Sequence, residues 1–145
     1  MAEKSIQITD VYLASSKKGK KVPSYSGVAA GFPSPADDFL EDKLDLNEKL
    51  IQHPAATFFV RVSGHSMIKA GIHSGDLLIV DRSLEPQTGN VVVAVIDGEF
   101  TVKRILKKGD QIYLIPENSK FKPIKISDDS NFQVWGVVTN VIHTV

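Results

Sequence analysis

Ser66 stands in the stretch Val62-Ser63-Gly64-His65-Ser66-Met67-Ile68, directly after a run that alternates like a strand. Gly64 precedes it and a turn around Gly71 follows. Such a strand-to-turn junction can hold a hydroxyl clear of its own backbone and aim amide groups at one point, as acyl transfer requires of a nucleophile and an oxyanion hole. The local pattern is half of a Gly-x-Ser-x-Gly elbow, because Ile68 holds the second glycine's place. A glycine-flanked serine is by itself more often a turn residue than a catalyst, so the question passes to its base.

A serine hydroxyl needs a base at neutral pH. His65 is adjacent, but neighbouring side chains in extended structure point to opposite faces, which turns it away from Ser66. His53, His73 and His143 lack relay or metal-ligand spacing and read as surface or packing histidines, so no metal site is expected. Lys103 is the better candidate. In Glu99-Phe100-Thr101-Val102-Lys103-Arg104-Ile105-Leu106, period-2 alternation puts Thr101, Lys103 and Ile105 on one face and Phe100, Val102, Arg104 and Leu106 on the other. Burial disfavours the ammonium, and a fall of about three units from ~10.4 corresponds to roughly 4 kcal/mol against the charged form. The bland reading keeps the amine of Lys103 in water, like most strand lysines.

The elements that would position this pair are mostly strands. After Pro54 come strand-like runs at 57–62, 77–81, 91–97, 100–106, 111–116 and 133–145, with hairpin-type turns at Asp97-Gly98 and Lys108-Gly109-Asp110. These predict an antiparallel body that is closed or strongly curled. Upstream, Ser34-Pro35 followed by Asp37 and Asp38 predicts a helix from residue 35, carried by Phe39, Leu40, Leu44, Leu50 and Ile51 until Pro54, with Asp45-Leu46-Asn47 a point where it can break into two short pieces. Residues 17–31, rich in lysine, glycine and serine, predict an exposed mobile arm, and 5–14 a short strand at most.

The chain has 145 residues with 42% hydrophobic content, enough for one domain with a real core. Basic and acidic residues number 17 each, which removes any global charge argument for nucleic acid or membrane binding. The distribution is uneven: residues 1–30 carry five lysines against Glu3 and Asp10, net +3, and the remainder balances at −3. No cysteine is present, so disulfides, thiolate metal sites and thiol nucleophiles are excluded. Without an apolar leader or a membrane-length apolar run, a cytoplasmic protein that does not enter membranes is expected.

The segments Val62–Met67 (VSGHSM), Gly75–Asp81 (GDLLIVD) and Gly98–Arg104 (GEFTVKR), with the stretch from Gly31 to Val60, resemble the UmuD-type SOS mutagenesis proteins of the LexA-like self-cleaving serine-lysine peptidase family. The resemblance covers roughly residues 28–142. It implies a mainly β fold, a curled, partly closed antiparallel body of the LexA C-terminal type with a short N-terminal helix and a flexible N-terminal arm. It implies Ser66 as nucleophile and Lys103 as general base, with the backbone amides of Ser66 and His65 as oxyanion hole and no cofactor. The bond cut would be Ala30-Gly31, removing residues 1–30 from a peptidase and interaction domain of residues 31–145. Its implied partners are a second copy in a homodimer, the RecA filament on single-stranded DNA, which stimulates the cut, and a UmuC-type error-prone translesion DNA polymerase served by the trimmed form.

The residues agree with that implication. Ala30-Gly31 lies among small residues that can enter a narrow cleft, and tethering raises its effective concentration at the catalyst. The rivals are a catalytically silent interaction module and a LexA- or phage-type repressor fragment lacking its DNA-binding domain. Residues 1–30 are too few for a helix-turn-helix domain, which argues against sequence-specific DNA binding, and Lys17-Lys18-Gly19-Lys20-Lys21 reads as a solvated cluster. A signal peptidase also pairs serine with lysine, but here a membrane anchor is missing.

Overall fold

The computed structural model describes residues 6–15, 19, 21–25, 40–127 and 131–145. Its strands are β1 (Gln7–Leu13), β2 (Lys21–Tyr25), β3 (Leu40–Asp45), β4 (Thr57–Ser63), β5 (Leu77–Asp81), β6 (Val91–Ile96), β7 (Glu99–Lys108), β8 (Gln111–Ile115), β9 (Ile124–Lys125) and β10 (Phe132–Ile142). Eight of them form one antiparallel sheet in the order β1-β4-β5-β10-β6-β7-β8-β9, and β2 pairs with β3 separately.

The turns that organise β6 to β8 follow directly from sequence. Asp97 and Gly98 both take positive φ, 49° and 84°, which matches the twist of a two-residue hairpin and brings Ile96 opposite Glu99. Gly109, also at positive φ, closes the next hairpin and sets Lys108 opposite Gln111. The expected strands after Pro54 are therefore present.

Curvature comes from β10, which pairs with β5 on one side and β6 on the other and carries register shifts at 134–136 and 138–140. Gly136 sits at the first of these shifts. A Cβ there would meet Val80 Cγ1 at 2.6 Å, so only glycine lets β10 pass this close to β5. The sheet curls enough that β1 touches β7, five places away in strand order.

One apolar cluster joins Val60 and Val62 of β4 with Leu78 and Val80 of β5, Val93 of β6 and Val102 of β7, and it includes Ile6, Met67 and Ile72. A second gathers Val92, Ala94, Ile105, Leu114 and Val137. Val93 pairs with Val102 and Val92 with Lys103, so both faces of β7 are covered where Lys103 stands.

The helix expected over 35–51 is corrected at residues 40–45, the stretch 35–39 lying outside the described residues. Residues 40–45 are β3, and only Leu46–Leu50 (α1) are helical. Asp45 is the N-cap of α1, its side chain accepting from the Asn47 N–H at 2.9 Å. Backbone pairing of Lys21 with Asp45 and Val22 with Leu44 overrides the local helical pattern. Lys21–Tyr25, read as part of a mobile arm, supplies the other strand of that ribbon. Ala30, Gly31 and the Ser34-Pro35 signal lie outside the described residues. Among the described residues no helix is long and apolar enough to cross a membrane.

Candidate active site

Gly64, at φ 105°, turns the chain out of β4, and its N–H is held by Ser74 Oγ at 3.2 Å. In the turn that follows, His65 is exposed, while Ser66 and Met67 are both fully buried, so the turn rather than strand alternation separates His65 from the serine. Met67 enters the apolar cluster and anchors the turn at its centre. Its carbonyl accepts from the N–H groups of Ala70 and Ile72, and Gly71 closes the turn in the left-handed region.

Lys103 reaches this turn from β7. Its Nζ lies 3.1 Å from Ser66 Oγ, across 37 positions of sequence, and the lysine is 4% exposed. Burial alone depresses the amine, from 10.5 to about 8. Covered on both faces of β7 and without a carboxylate beside it among the described residues, the ammonium loses hydration that its hydrogen bond to Ser66 Oγ only partly replaces. The pair thus joins a buried hydroxyl to an amine whose neutral form, a minority near pH 7, becomes the main species above about pH 8.

Two further residues act on the same turn. The carbonyl of His65 accepts from Asn118 Nδ2 at 2.8 Å and from the Ile68 N–H at 3.3 Å, which fixes the peptide plane whose N–H belongs to Ser66. Glu117 braces the segment from below: its carbonyl accepts from the Lys69 N–H at 2.7 Å, and its side chain pairs with Arg104 next to Lys103. Sequence reasoning missed Asn118, because its partner lies 53 positions away and asparagine after Pro116-Glu117 reads as loop.

The third residue at the serine is Ile6. Its N–H donates to Ser66 Oγ at 3.1 Å, and its side chain is 2% exposed within the apolar cluster. With Gln7, Phe100, Thr101, Lys103 and Pro116 it lines a cleft of about 540 Å³ beside the pair.

His53, His73 and His143, set aside as bases, each face a carboxylate. His53 Nδ1 is 2.6 Å from Asp81 Oδ2, and His143 Nδ1 is 2.6 Å from Asp76 Oδ1. His73 stands beside that second pair. Asp81 is held below the usual carboxylate range: burial pushes it up, but hydrogen bonds from Ser83 and His53 together outweigh that.

Comparison with known proteins places this geometry in context. The family described as Peptidase S24-like matches residues 23–139. The chain is 50% identical over 115 residues to Protein ImpA of Salmonella typhimurium, covering 79% of this chain and 77% of that one. It is 50% identical over 114 residues to Protein SamA of Salmonella typhimurium strain LT2, covering 79% of each. Protein MucA of Escherichia coli is 46% identical over 121 residues, covering 82% of each.

Proposed function

The chain belongs to the Peptidase S24-like family, of serine-peptidase kind, and on that premise we propose that it is a UmuD-type SOS mutagenesis protein that cuts its own Ala30-Gly31 bond. The observation that carries this reading is Lys103 Nζ at 3.1 Å from the buried Ser66 Oγ, with the amine lowered to about 8. Neutral Lys103 takes the hydroxyl proton as Ser66 Oγ attacks the Ala30 carbonyl carbon. The tetrahedral oxyanion is stabilised by the backbone N–H groups of Ser66 and His65, the first oriented by the grip of Asn118 on the His65 carbonyl. The Lys103 ammonium returns the proton to the Gly31 nitrogen as the C–N bond breaks. Water, deprotonated by the same amine, then hydrolyses the Ala30 ester and frees Ser66.

The fragment beginning at Gly31 would act in the cytoplasm as a homodimer and as accessory subunit of a UmuC-type error-prone translesion polymerase. A RecA filament on single-stranded DNA would hasten the cut by binding preferentially the conformer in which the scissile bond sits at Ser66. The hydrogen bond from the Ile6 N–H to Ser66 Oγ supports such latency, because Ile6 must leave before the Ala30 carbonyl can approach. Ile6→Pro, which lacks that donor, is expected to raise the cutting rate of the chain alone, without any filament, several-fold at fixed pH. An unchanged rate, measured by mass analysis over time, would show that Ile6 does not obstruct the nucleophile.

The test of the function is the pH profile of self-cleavage in the purified chain. With the amine at about 8, its neutral fraction rises from roughly a tenth at pH 7 to roughly nine tenths at pH 9, so the rate should climb about tenfold and then level off. A chain that yields no Gly31 amino terminus at any pH is the silent interaction module instead. A rate still climbing tenfold per unit above pH 9 would mean an unperturbed lysine.

A further inference from the structure

A second group of reactive side chains lies apart from Ser66 and Lys103. His73 and Asp76 belong to the connection between β4 and β5, and His143 follows the last residue of β10. One ligand atom from each lies within 4.8 Å of the other two, and the imidazole centroids are 4.8 Å apart. We propose that His73, Asp76 and His143 bind one divalent transition-metal ion, zinc matching the donor set best. The sequence alone predicted no metal site, because His143 is 67 positions from Asp76 and only the pairing of β10 with β5 unites them.

Two imidazole nitrogens and one carboxylate oxygen are donors that favour zinc, nickel or copper over calcium or magnesium, and three protein ligands leave one tetrahedral position for water. The carboxylate is the fixed member. Its side chain is 2% exposed, and Oδ2 accepts the His73 N–H at 2.7 Å while Oδ1 faces His143. The supporting backbone is paired on both sides: Val62 bonds to Gly75 and Asp76, and Ile142 lies opposite Leu77. Both rings are about half exposed, so they can turn to the donor separations of ~3.3 Å that tetrahedral zinc requires without disturbing the core. An ion there would tie the end of β10 to the turn whose Ser74 holds Gly64, two residues before the nucleophile.

The molecule contains its own control. His53 and Asp81 form a pair of the same 2.6 Å length, but among the described residues no other group joins them in a metal-sized cluster. Titration of the full chain with zinc chloride by calorimetry is expected to show one ion per chain and a rise in Tm with added zinc. His73→Ala and His143→Gln should each weaken binding by more than the ~10–100-fold that loss of an outer hydrogen-bond partner costs. His53→Ala should leave affinity within about twofold, since that ring supplies no ligand. The proposal is overturned if binding is weaker than ~100 µM, if neither His73→Ala nor His143→Gln changes it, or if His53→Ala abolishes it equally. Both rings are about half exposed, so replacing them leaves the core closed, and circular dichroism on each variant checks that it folds.

Discussion

Ser66→Ala and Lys103→Ala chains are each expected to give no detectable Gly31 amino terminus between about pH 7 and 10, under conditions where the parent chain cuts itself. The first removes the nucleophile, and the second removes the only amine within hydrogen-bond reach of it among the described residues. A positioned general base is worth ~10²–10⁴ in rate, and losing the nucleophile costs at least as much. The double variant should be no slower than either single one, because the two groups perform one proton transfer and one attack together. Fragment mass analysis checks all three. Survival of cutting in Lys103→Ala with an unchanged pH profile would remove Lys103 from the mechanism, and survival in Ser66→Ala would remove the dyad.

The second large effect concerns stability and has the opposite sign. In a Ser66→Ala background, which cannot cut, Lys103→Met is expected to stabilise the fold at pH 7 by on the order of 3 kcal/mol. The direction follows from the depressed amine. Lys103 is at about 8 in the folded chain and 10.5 as the free group, so the unfolded state holds its proton more tightly. Between those values the lysine chain gains stability as pH rises, and below about 8 it carries the whole desolvation penalty. Methionine has similar length and no charge to desolvate. The advantage of Lys103→Met should therefore be full at pH 6.5 and gone by about pH 10.5, measured by urea unfolding at both. An equal gap at the two pH values would assign the effect to packing rather than charge. Stability lost at Lys103 is the counterpart of its reactivity, since one desolvation produces both.

The same division between local and distant causes decides what could be read in advance. Asp97-Gly98 and the alternation of Glu99–Leu106 were legible because a hairpin and a half-buried strand are set by the conformational preferences of a few consecutive residues. The helix expected over 35–51 was misread at 40–45 for the converse reason. Leu40–Asp45 has helical spacing, yet its backbone bonds to Lys21–Tyr25, and an interstrand ladder cannot be weighed from one of its strands.

By itself the sequence determined a cysteine-free, mainly β chain and two residue types, a serine behind a glycine turn and a lysine in an alternating strand, whose chemistry is complementary. Only the curl of the sheet decided that they meet. It brought Lys103 to Ser66, buried the amine on both faces and so lowered it to about 8. It also set Ile6 on the hydroxyl, Asn118 on the His65 carbonyl and His143 on Asp76. Contact order explains the difference: propensity acts over a few residues, whereas these contacts span 37 to 67 positions and exist only once the whole sheet has closed around its core.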